Sequence, residues 1–170
     1  MDPTLYLFVG YPGAGKTTVA RKITQLTGGV HLWADFERHV MFKEVTHSHE
    51  ESQILYSHLN HAADEFLGKG KSVIFDTNFN YREDRDRLRE MAAKHAAKTV
   101  LVWVTTDRDL SQARATEESE NQETRIWGNM ALQDFDRLSD KLQQPDDDEQ
   151  VVRIDGKHVD EATVKAALNL

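Results

Sequence analysis

The sequence feature that most constrains the fold is a glycine-rich stretch over residues 10–18, Gly-Tyr-Pro-Gly-Ala-Gly-Lys-Thr-Thr. It matches G-x-x-x-x-G-K-S/T at every fixed position, which is the pattern of a phosphate-binding loop. An apolar run over residues 4–9 precedes it and is short enough to be a buried parallel strand. Residues 19–25 contain no Gly or Pro and are followed by Gly28, as expected of a helix. A strand, a glycine loop and a helix in this order favour a P-loop over an incidental glycine-rich turn.

The residue types in this loop predict a site for ATP and Mg²⁺. Glycines allow backbone dihedrals closed to other residues, so that N–H groups can point at an anion, and the following helix adds the positive end of its dipole. Lys16 is expected to reach the β- and γ-phosphates as a catalytic residue, and the Thr17 hydroxyl is expected to ligate Mg²⁺. The predicted nucleotide-binding residues of the loop are Gly10, Gly13, Ala14, Gly15, Lys16, Thr17 and Thr18.

Composition limits the class of protein. The chain has 170 residues, which suits one domain over residues 1–170, and it contains no cysteine, which excludes disulfides and fits a cytoplasmic protein. We expect no signal peptide, because the first strand begins almost at once, and no membrane partner, because no apolar run reaches about 18 residues. The net charge of −8 argues against broad binding along a nucleic acid duplex, although a nucleic acid end could still enter a local cleft. The acidic run over residues 146–149 is expected to be a solvated loop.

Apolar patterns alternate between strands and helices along the chain. Strands are predicted over residues 4–9, 30–34, 72–75, 99–104 and 150–154. Helices are predicted over residues 19–25, 36–43, 54–67, 82–98, 107–121, 123–142 and 160–168. This alternation predicts a three-layer α/β/α fold with a five-stranded parallel sheet, of the P-loop NTPase type. Ligands of such sheets bind beyond the carboxyl ends of the strands.

Two carboxylates stand at predicted strand ends. Asp76 follows the third strand, where P-loop enzymes hold Mg²⁺ with a second carboxylate; capping of the next helix is the alternative. Asp35 follows the second strand and could take the proton of an attacking hydroxyl as a general base. Arg38 lies three residues later, on the same face of a helix, and could bind an anionic group of the acceptor. The alternative for Asp35 and Arg38 is a surface ion pair of little energetic value.

These residues resemble the P-loop kinases of the polynucleotide 5′-hydroxyl kinase group and the small kinases related to it. The resemblance rests on residues 10–18, on Asp35-x-x-Arg38, and on Asp76-Thr77-Asn78-Phe79-Asn80. It implies that Asp35 is the general base, that Arg38 contacts an acceptor phosphate, and that Thr77 and Asn78 line the acceptor side.

The same resemblance implies a helical lid after the fourth strand, over approximately residues 107–130. In the family such a lid carries arginines over the ATP phosphates. Arg114 matches the first of them, as a catalytic and ATP-binding residue. Glu118 stands where the family usually has a second arginine, and Arg125 is the candidate to replace it.

The sequence therefore predicts an ATP- and Mg²⁺-dependent kinase whose acceptor is a hydroxyl, with the 5′-OH of a nucleic acid as the first candidate. Two alternatives remain open. One is a kinase of a small molecule such as a nucleoside, sugar or antibiotic, which the acidic net charge favours. The other is a nucleotide-binding ATPase module without an acceptor, suggested by Glu118. No oligomeric state is predicted.

Overall fold

Five parallel strands form the central sheet of this protein, whose computed structural model describes residues 2–117 and 124–170. The strand order is β2-β3-β1-β4-β5. The strands are β1 (Thr4–Val9), β2 (Val30–Trp33), β3 (Val73–Asp76), β4 (Lys98–Val104) and β5 (Val151–Ile154). Because β1 lies between β3 and β4, the loop after β1 emerges at the centre of the carboxyl edge.

Helices cover both faces of this sheet. They are α1 (Lys16–Thr27), α2 (Ala34–Met41), α3 (His49–Gly68), α4 (Arg82–Lys94), α5 (Arg108–Thr116), α6 (Leu132–Asp140) and α7 (Glu161–Leu168). The predicted three-layer P-loop fold with five parallel strands is therefore confirmed. In the part of the chain described, no helix combines the length and apolar character needed to cross a bilayer.

The alternation of side chains along β1 divides the core into two. Leu5, Leu7 and Val9 pack with α3 and α4 on one face of the sheet. Tyr6 and Phe8 pack with α1 and α7 on the other face. Both clusters consist of aliphatic and aromatic side chains that are almost fully buried. The central strand is thus anchored on both faces, which fixes the position of the loop that follows it.

Several predicted helices have different limits in the structure. α4 ends at Lys94, whereas the sequence pattern extended it to residue 98, because Ala96 adopts a left-handed backbone with φ of 53° and Lys98 already belongs to β4. α3 begins at His49, before the predicted start, because Ser48 caps it by accepting a hydrogen bond from the Glu51 N–H.

The largest correction concerns the predicted helix over residues 123–142, since α6 begins only at Leu132. The described residues 124–131 are not helical. The Met130 N–H donates to the Ala115 carbonyl at 2.9 Å, which ties this segment to α5 and prevents helical pairing there. The predicted helix over residues 107–121 is observed as the shorter α5, which ends at Thr116, and Glu118 lies outside the described residues.

The acidic run over residues 146–149 is the exposed loop that its composition suggested at Asp146, Asp147 and Asp148, but not at Glu149. Glu149 is buried and forms an ion pair with the fully buried Arg85 at 2.7 Å and a second with Arg89 at 2.6 Å. Asp146 and Asp148 both pair with Arg82, at 2.9 and 2.8 Å. The run therefore forms ion pairs with three arginines of one helix, which are Arg82, Arg85 and Arg89 of α4.

Arg85 also joins this cluster to the loop after β3. Its Nη1 donates to the Phe79 carbonyl at 3.0 Å and to the Gln143 carbonyl at 3.1 Å. The loop that follows Asp76 is thus held against α4 and the segment before β5 by one buried guanidinium. Burial alone would raise the pKa of Glu149, but hydrogen bonds from Arg85 and Arg89 lower it to about 2.

We expect Glu149→Gln to lower the free energy of unfolding by about 3 kcal/mol or more at pH 7, because it leaves a buried guanidinium without its counterion. The Glu149 carboxylate has a lower pKa in the folded state than in the unfolded state. Its stabilising contribution is therefore present above the unfolded pKa, about 4.3, and is lost as pH falls toward 2. Denaturant unfolding of both proteins between pH 7 and pH 2 should show the difference shrink on acidification.

Glu83→Gln is the matched control for this experiment. Glu83 pairs with Arg87 on the same helix, but both side chains are exposed, so its loss should cost about 0.5 kcal/mol or less. Equal losses for the two variants would contradict a dominant role for the buried pair.

Candidate active site

The P-loop connects β1 to α1 through a backbone that only glycine adopts without strain at two positions. Gly13 has φ of 79° and Gly15 has φ of 106°. A Cβ on Gly13 would lie 2.3 Å from the Ser111 carbonyl oxygen, so α5 packs directly against the loop. Gly15 precedes the first residue of α1, and the N–H groups at this helix start are therefore available to an anion.

A cleft of about 670 Å³ opens over the P-loop at the carboxyl edge of the sheet. Its lining includes five of the seven predicted loop residues, namely Gly13, Gly15, Lys16, Thr17 and Thr18. Gly10 and Ala14 lie behind it and shape the loop. The Gly10 carbonyl accepts a hydrogen bond from Lys16, and the Ala14 N–H donates to the Tyr11 carbonyl at 3.0 Å.

Lys16 supplies the positive charge at the floor of the cleft. Its Nζ donates to the Gly10 carbonyl at 2.9 Å and to the Tyr11 carbonyl at 2.8 Å. Burial lowers the pKa of Lys16 to about 8, although the carboxylates of Asp76 and Asp35 act in the opposite direction. An anion in the cleft would compensate this buried ammonium, so the site suits a phosphate group.

Asp76 ends β3 beside the P-loop, and both of its oxygens have partners. The Thr17 hydroxyl lies 3.2 Å from Oδ1, and His31 Nε2 lies 2.9 Å from Oδ2. A hydroxyl and a carboxylate are hard oxygen ligands, and two protein ligands leave positions for phosphate oxygens and water, as Mg²⁺ requires. Thr17 and Asp76 therefore fit the predicted magnesium site.

Asp35 lies in the first turn of α2, immediately after β2, and it lines the same cleft as Lys16 and Thr17. Solvent reaches the carboxylate, yet the walls of the cleft reduce its hydration. This desolvation, together with the charge of Asp76, raises the pKa of Asp35, while Trp127, Arg38 and Lys16 oppose the rise. The cleft thus contains a carboxylate of increased basicity in addition to the one beside Thr17.

Arg38 is buried next to the cleft and does not line it. Its Nη1 donates to Glu51 Oε1 at 2.5 Å and its Nη2 donates to the Ser52 hydroxyl at 3.1 Å. Glu51 also accepts hydrogen bonds from the backbone of Thr46 and His47. The guanidinium joins α2 to α3, and the contact with an acceptor phosphate stays a prediction.

Thr77 and Asn78 line the cleft after Asp76, on the side predicted to receive the acceptor. The Thr77 hydroxyl shares a hydrogen bond of 2.8 Å with the Tyr56 hydroxyl. Burial raises the pKa of Tyr56, so this phenol keeps its proton at neutral pH. This side of the cleft presents hydroxyl and amide groups.

Arg114 and Arg125 both line the cleft from α5 and the segment after it. Arg114 Nη1 donates to the Gly156 carbonyl at 3.0 Å, and Gly156 in turn lies next to the P-loop residue Gly15. Arg125 donates to Asn129 Oδ1 at 3.1 Å and to the Ala115 carbonyl. Their roles as lid arginines stay predictions, and Glu118 lies outside the described residues.

Two further residues of the site carried no motif in the sequence. Trp127 lines the cleft close enough to Asp35 to lower the pKa of that carboxyl, and its ring meets His39 and His47 edge-on at 5.8 and 5.3 Å. His31 contacts Asp76 from β2. The only available signal for His31 was its position two residues before the end of a strand next to β3.

Comparison with known families gives a match over most of the chain. A family model described as AAA domain matches residues 5–145. No sequence among curated proteins matches. The expected resemblance to small P-loop kinases agrees with this family and with the folds of solved structures.

Three solved structures illustrate the shared fold. The Mycobacterium tuberculosis APS kinase CysC, in complex with AMPPNP and APS, is 16% identical with a TM-score of 0.70, over 99% of this chain and 96% of the other. Chaetomium thermophilum Kti12, in complex with ADP-AlF3, is 18% identical with a TM-score of 0.73, over 97% and 95%. A chain of the Pnkp1/Rnl/Hen1 RNA repair complex is 19% identical with a TM-score of 0.67, over 83% and 44%.

The contact between Gly13 and α5 leads to a test of the P-loop. We expect Gly13→Ala to weaken nucleotide binding about tenfold or more, or about 1.4 kcal/mol, because the new methyl group meets a backbone carbonyl. Gly70→Ala is the control, since Gly70 also has a positive φ, 73°, but has no atom within 4 Å of the added Cβ. Titration with a fluorescent ATP analogue should show normal affinity for Gly70→Ala, and equal weakening of both would contradict the argument.

Proposed function

The chain belongs to the AAA domain family, and from this membership and its cleft we propose that it is an ATP-dependent kinase that phosphorylates a hydroxyl group. One observation carries the proposal. Asp35 lines the same cleft as the P-loop, from a different strand end, and its pKa is raised. A module that only binds nucleotide needs the P-loop and a metal ligand, whereas a kinase also needs a group that accepts the proton of the acceptor.

In the proposed reaction, Asp35 accepts the proton of the acceptor hydroxyl while that oxygen forms a bond to the γ-phosphorus of ATP. The bond between this phosphorus and the β–γ bridging oxygen breaks, so that the products are ADP and a phosphate ester. A raised pKa makes the Asp35 carboxylate a stronger base, and the same shift means that activity should fall as pH decreases through that pKa.

The other residues of the cleft hold charge and orientation in this proposal. Lys16 stabilises the negative charge of the phosphates from the floor of the cleft, and Arg114 lies near enough to the P-loop to do so from above. Mg²⁺, held by Thr17 and Asp76, would neutralise charge on the β- and γ-phosphates. Thr77 and Asn78 would orient the acceptor with their polar groups.

Of the two acceptor classes, the geometry favours a small molecule. Among the described residues, the Lys and Arg side chains that line the cleft are Lys16, Arg114 and Arg125, and α2, which carries Asp35, contributes none. The predicted phosphate contact there, Arg38, is neutralised by Glu51. The net charge of −8 points in the same direction.

A nucleic acid 5′-OH is the second candidate. The fold resemblance to a chain of an RNA repair complex supports it, and so does the position of Arg38, whose charge lowers the pKa of Asp35 and which is therefore close to the reacting region. This acceptor would require Arg38 to exchange part of its contact with Glu51 for a phosphate oxygen.

The general-base role leads to the first test. We expect Asp35→Asn to reduce transfer of the γ-phosphate by about 10²- to 10⁴-fold, since the amide cannot accept the proton, while ATP affinity changes little. Single-turnover transfer of radiolabel from ATP to the acceptor measures the first quantity, and equilibrium titration measures the second. Glu37→Gln, two residues along the same helix, is the control and should retain activity. Unchanged ATP turnover in Asp35→Asn would instead support an ATPase module without an acceptor.

The acceptor class leads to the second test. Nucleosides, monosaccharides and 5′-OH oligonucleotides would be compared, with each small molecule paired with a counterpart that carries a phosphate away from the attacked hydroxyl. We expect the added phosphate not to increase kcat/KM, because Glu51 neutralises the nearby guanidinium. An increase of about tenfold that disappears in Arg38→Gln would contradict the small-molecule assignment and favour the nucleic acid end.

A further inference from the structure

We propose that His31 is a positioning residue for the metal site, because it fixes the rotation of the Asp76 carboxylate so that Oδ1 faces Thr17. This inference rests on the proposed function, since it concerns the same cleft. It concerns a residue that neither the motif nor the family match assigns. His31 does not line the cleft, so it would act through Asp76 alone.

The geometry begins with the register of the sheet. β2 and β3 are parallel neighbours, and Trp33 is paired with Asp76. His31 lies two residues before Trp33, and it therefore projects on the same side of β2. Its imidazole reaches along the sheet to Asp76, where Nε2 lies 2.9 Å from Oδ2. The contact joins two strands at the edge that carries the P-loop.

The two carboxylate oxygens of Asp76 therefore have different partners. Oδ2 is taken by His31, whereas Oδ1 lies 3.2 Å from the Thr17 hydroxyl. An ionised carboxylate only accepts hydrogen bonds, so Nε2 of His31 carries the proton in this contact. Rotation of the carboxylate about its last bond would break this hydrogen bond, and Oδ1 is therefore kept at the position from which it can share a metal ion with Thr17.

The imidazole is itself held by packing. Its ring stacks on the indole of Trp33 with an interplanar angle of 4° and a centroid distance of 6.1 Å. Trp33 stacks in turn on Phe36 at 5.9 Å. The His31 side chain is only 18% exposed and that of Asp76 3%, so water competes weakly for their hydrogen bond. A stacked ring beside a buried carboxylate is a stiff support of the kind that orients metal ligands.

The test measures metal affinity without turnover. Mn²⁺ binding to the protein saturated with a non-hydrolysable ATP analogue would be followed by electron paramagnetic resonance. We expect His31→Leu, which keeps much of the volume, to raise the Mn²⁺ dissociation constant about tenfold or more. His31→Gln retains an N–H donor on a side chain of similar reach, and we expect it to remain within about threefold of the parent protein.

Phe36→Leu is the matched control. It disturbs the same aromatic stack but has no hydrogen bond to Asp76, so it should leave the Mn²⁺ dissociation constant unchanged. A far-ultraviolet circular dichroism spectrum and a melting temperature for each variant would show that the fold is retained. If His31→Leu binds Mn²⁺ like the parent, or if Phe36→Leu weakens it as strongly, the positioning role is wrong and His31 serves packing only.

The outcome also separates this inference from the proposed function. A parent protein that binds the Mn²⁺–nucleotide complex in a His31-dependent manner, yet transfers phosphate to no hydroxyl, would overturn the kinase proposal and leave the positioning role in place. Loss of Mn²⁺ binding in His31→Gln equal to that in His31→Leu would overturn the hydrogen-bond argument even if the kinase activity is present. A parent protein without any Mn²⁺–nucleotide binding would overturn both.

Discussion

The site depends on how three charges are kept together at one edge of a sheet. Lys16, Asp35 and Asp76 lie where parallel strands end, in a cleft whose walls reduce hydration. Burial lowers the pKa of Lys16 to about 8 even though the charges of Asp76 and Asp35 act in the opposite direction. Such an arrangement is costly unless each group has a defined partner. The carbonyls of Gly10 and Tyr11 hold the ammonium, and Thr17 and His31 hold the carboxylate. Bound phosphates would compensate the charge of Lys16, and a metal ion would compensate the charge of Asp76.

A second buried charge, that of Arg85, stabilises the loop that carries Thr77 and Asn78. Arg85 is fully buried, paired with Glu149, and bonded to the carbonyl of Phe79 in the loop that follows Asp76. Replacing a buried ion pair by apolar groups can leave stability unchanged, so a net gain in stability does not explain this pair. The position that it imposes on the loop after β3 explains it better. The β3–α4 loop, which presents Thr77 and Asn78 to the cleft, is thereby fixed relative to α4 and to the strand at the opposite edge of the sheet.

The fold and the position of the P-loop at the carboxyl edge of the sheet were predictable, because their determinants are local. The P-loop pattern lies between a strand and a helix that periodicity identifies, and the parallel order places Asp35 and Asp76 at the same edge. The partners of charged residues were not predictable. Arg38 pairs with Glu51, 13 residues away, and Arg85 pairs with Glu149, 64 residues away. Nothing in the local composition distinguishes these two carboxylates from solvated ones. The non-helical segment over residues 124–131 was missed for the same reason, since a hydrogen bond to Ala115 overrides its helical spacing.

The pairing of Arg38 with Glu51 bears most directly on which acceptor the proposed kinase would use. The charge of Arg38 acts on Asp35, but it is partly compensated by a carboxylate at 2.5 Å, so an anionic acceptor would gain its full attraction only if that pair opened. Opening it would leave the buried Glu51 carboxylate with the backbone N–H groups of Thr46 and His47 as partners but without its counterion, and His47 packs against Trp127, which lines the cleft. Binding of a phosphate at Arg38 would therefore cost a buried carboxylate its counterion close to the wall of the cleft that contains Asp35, the proposed general base. A neutral acceptor avoids this cost, and the same cleft can then be occupied without rearrangement of α2 against α3.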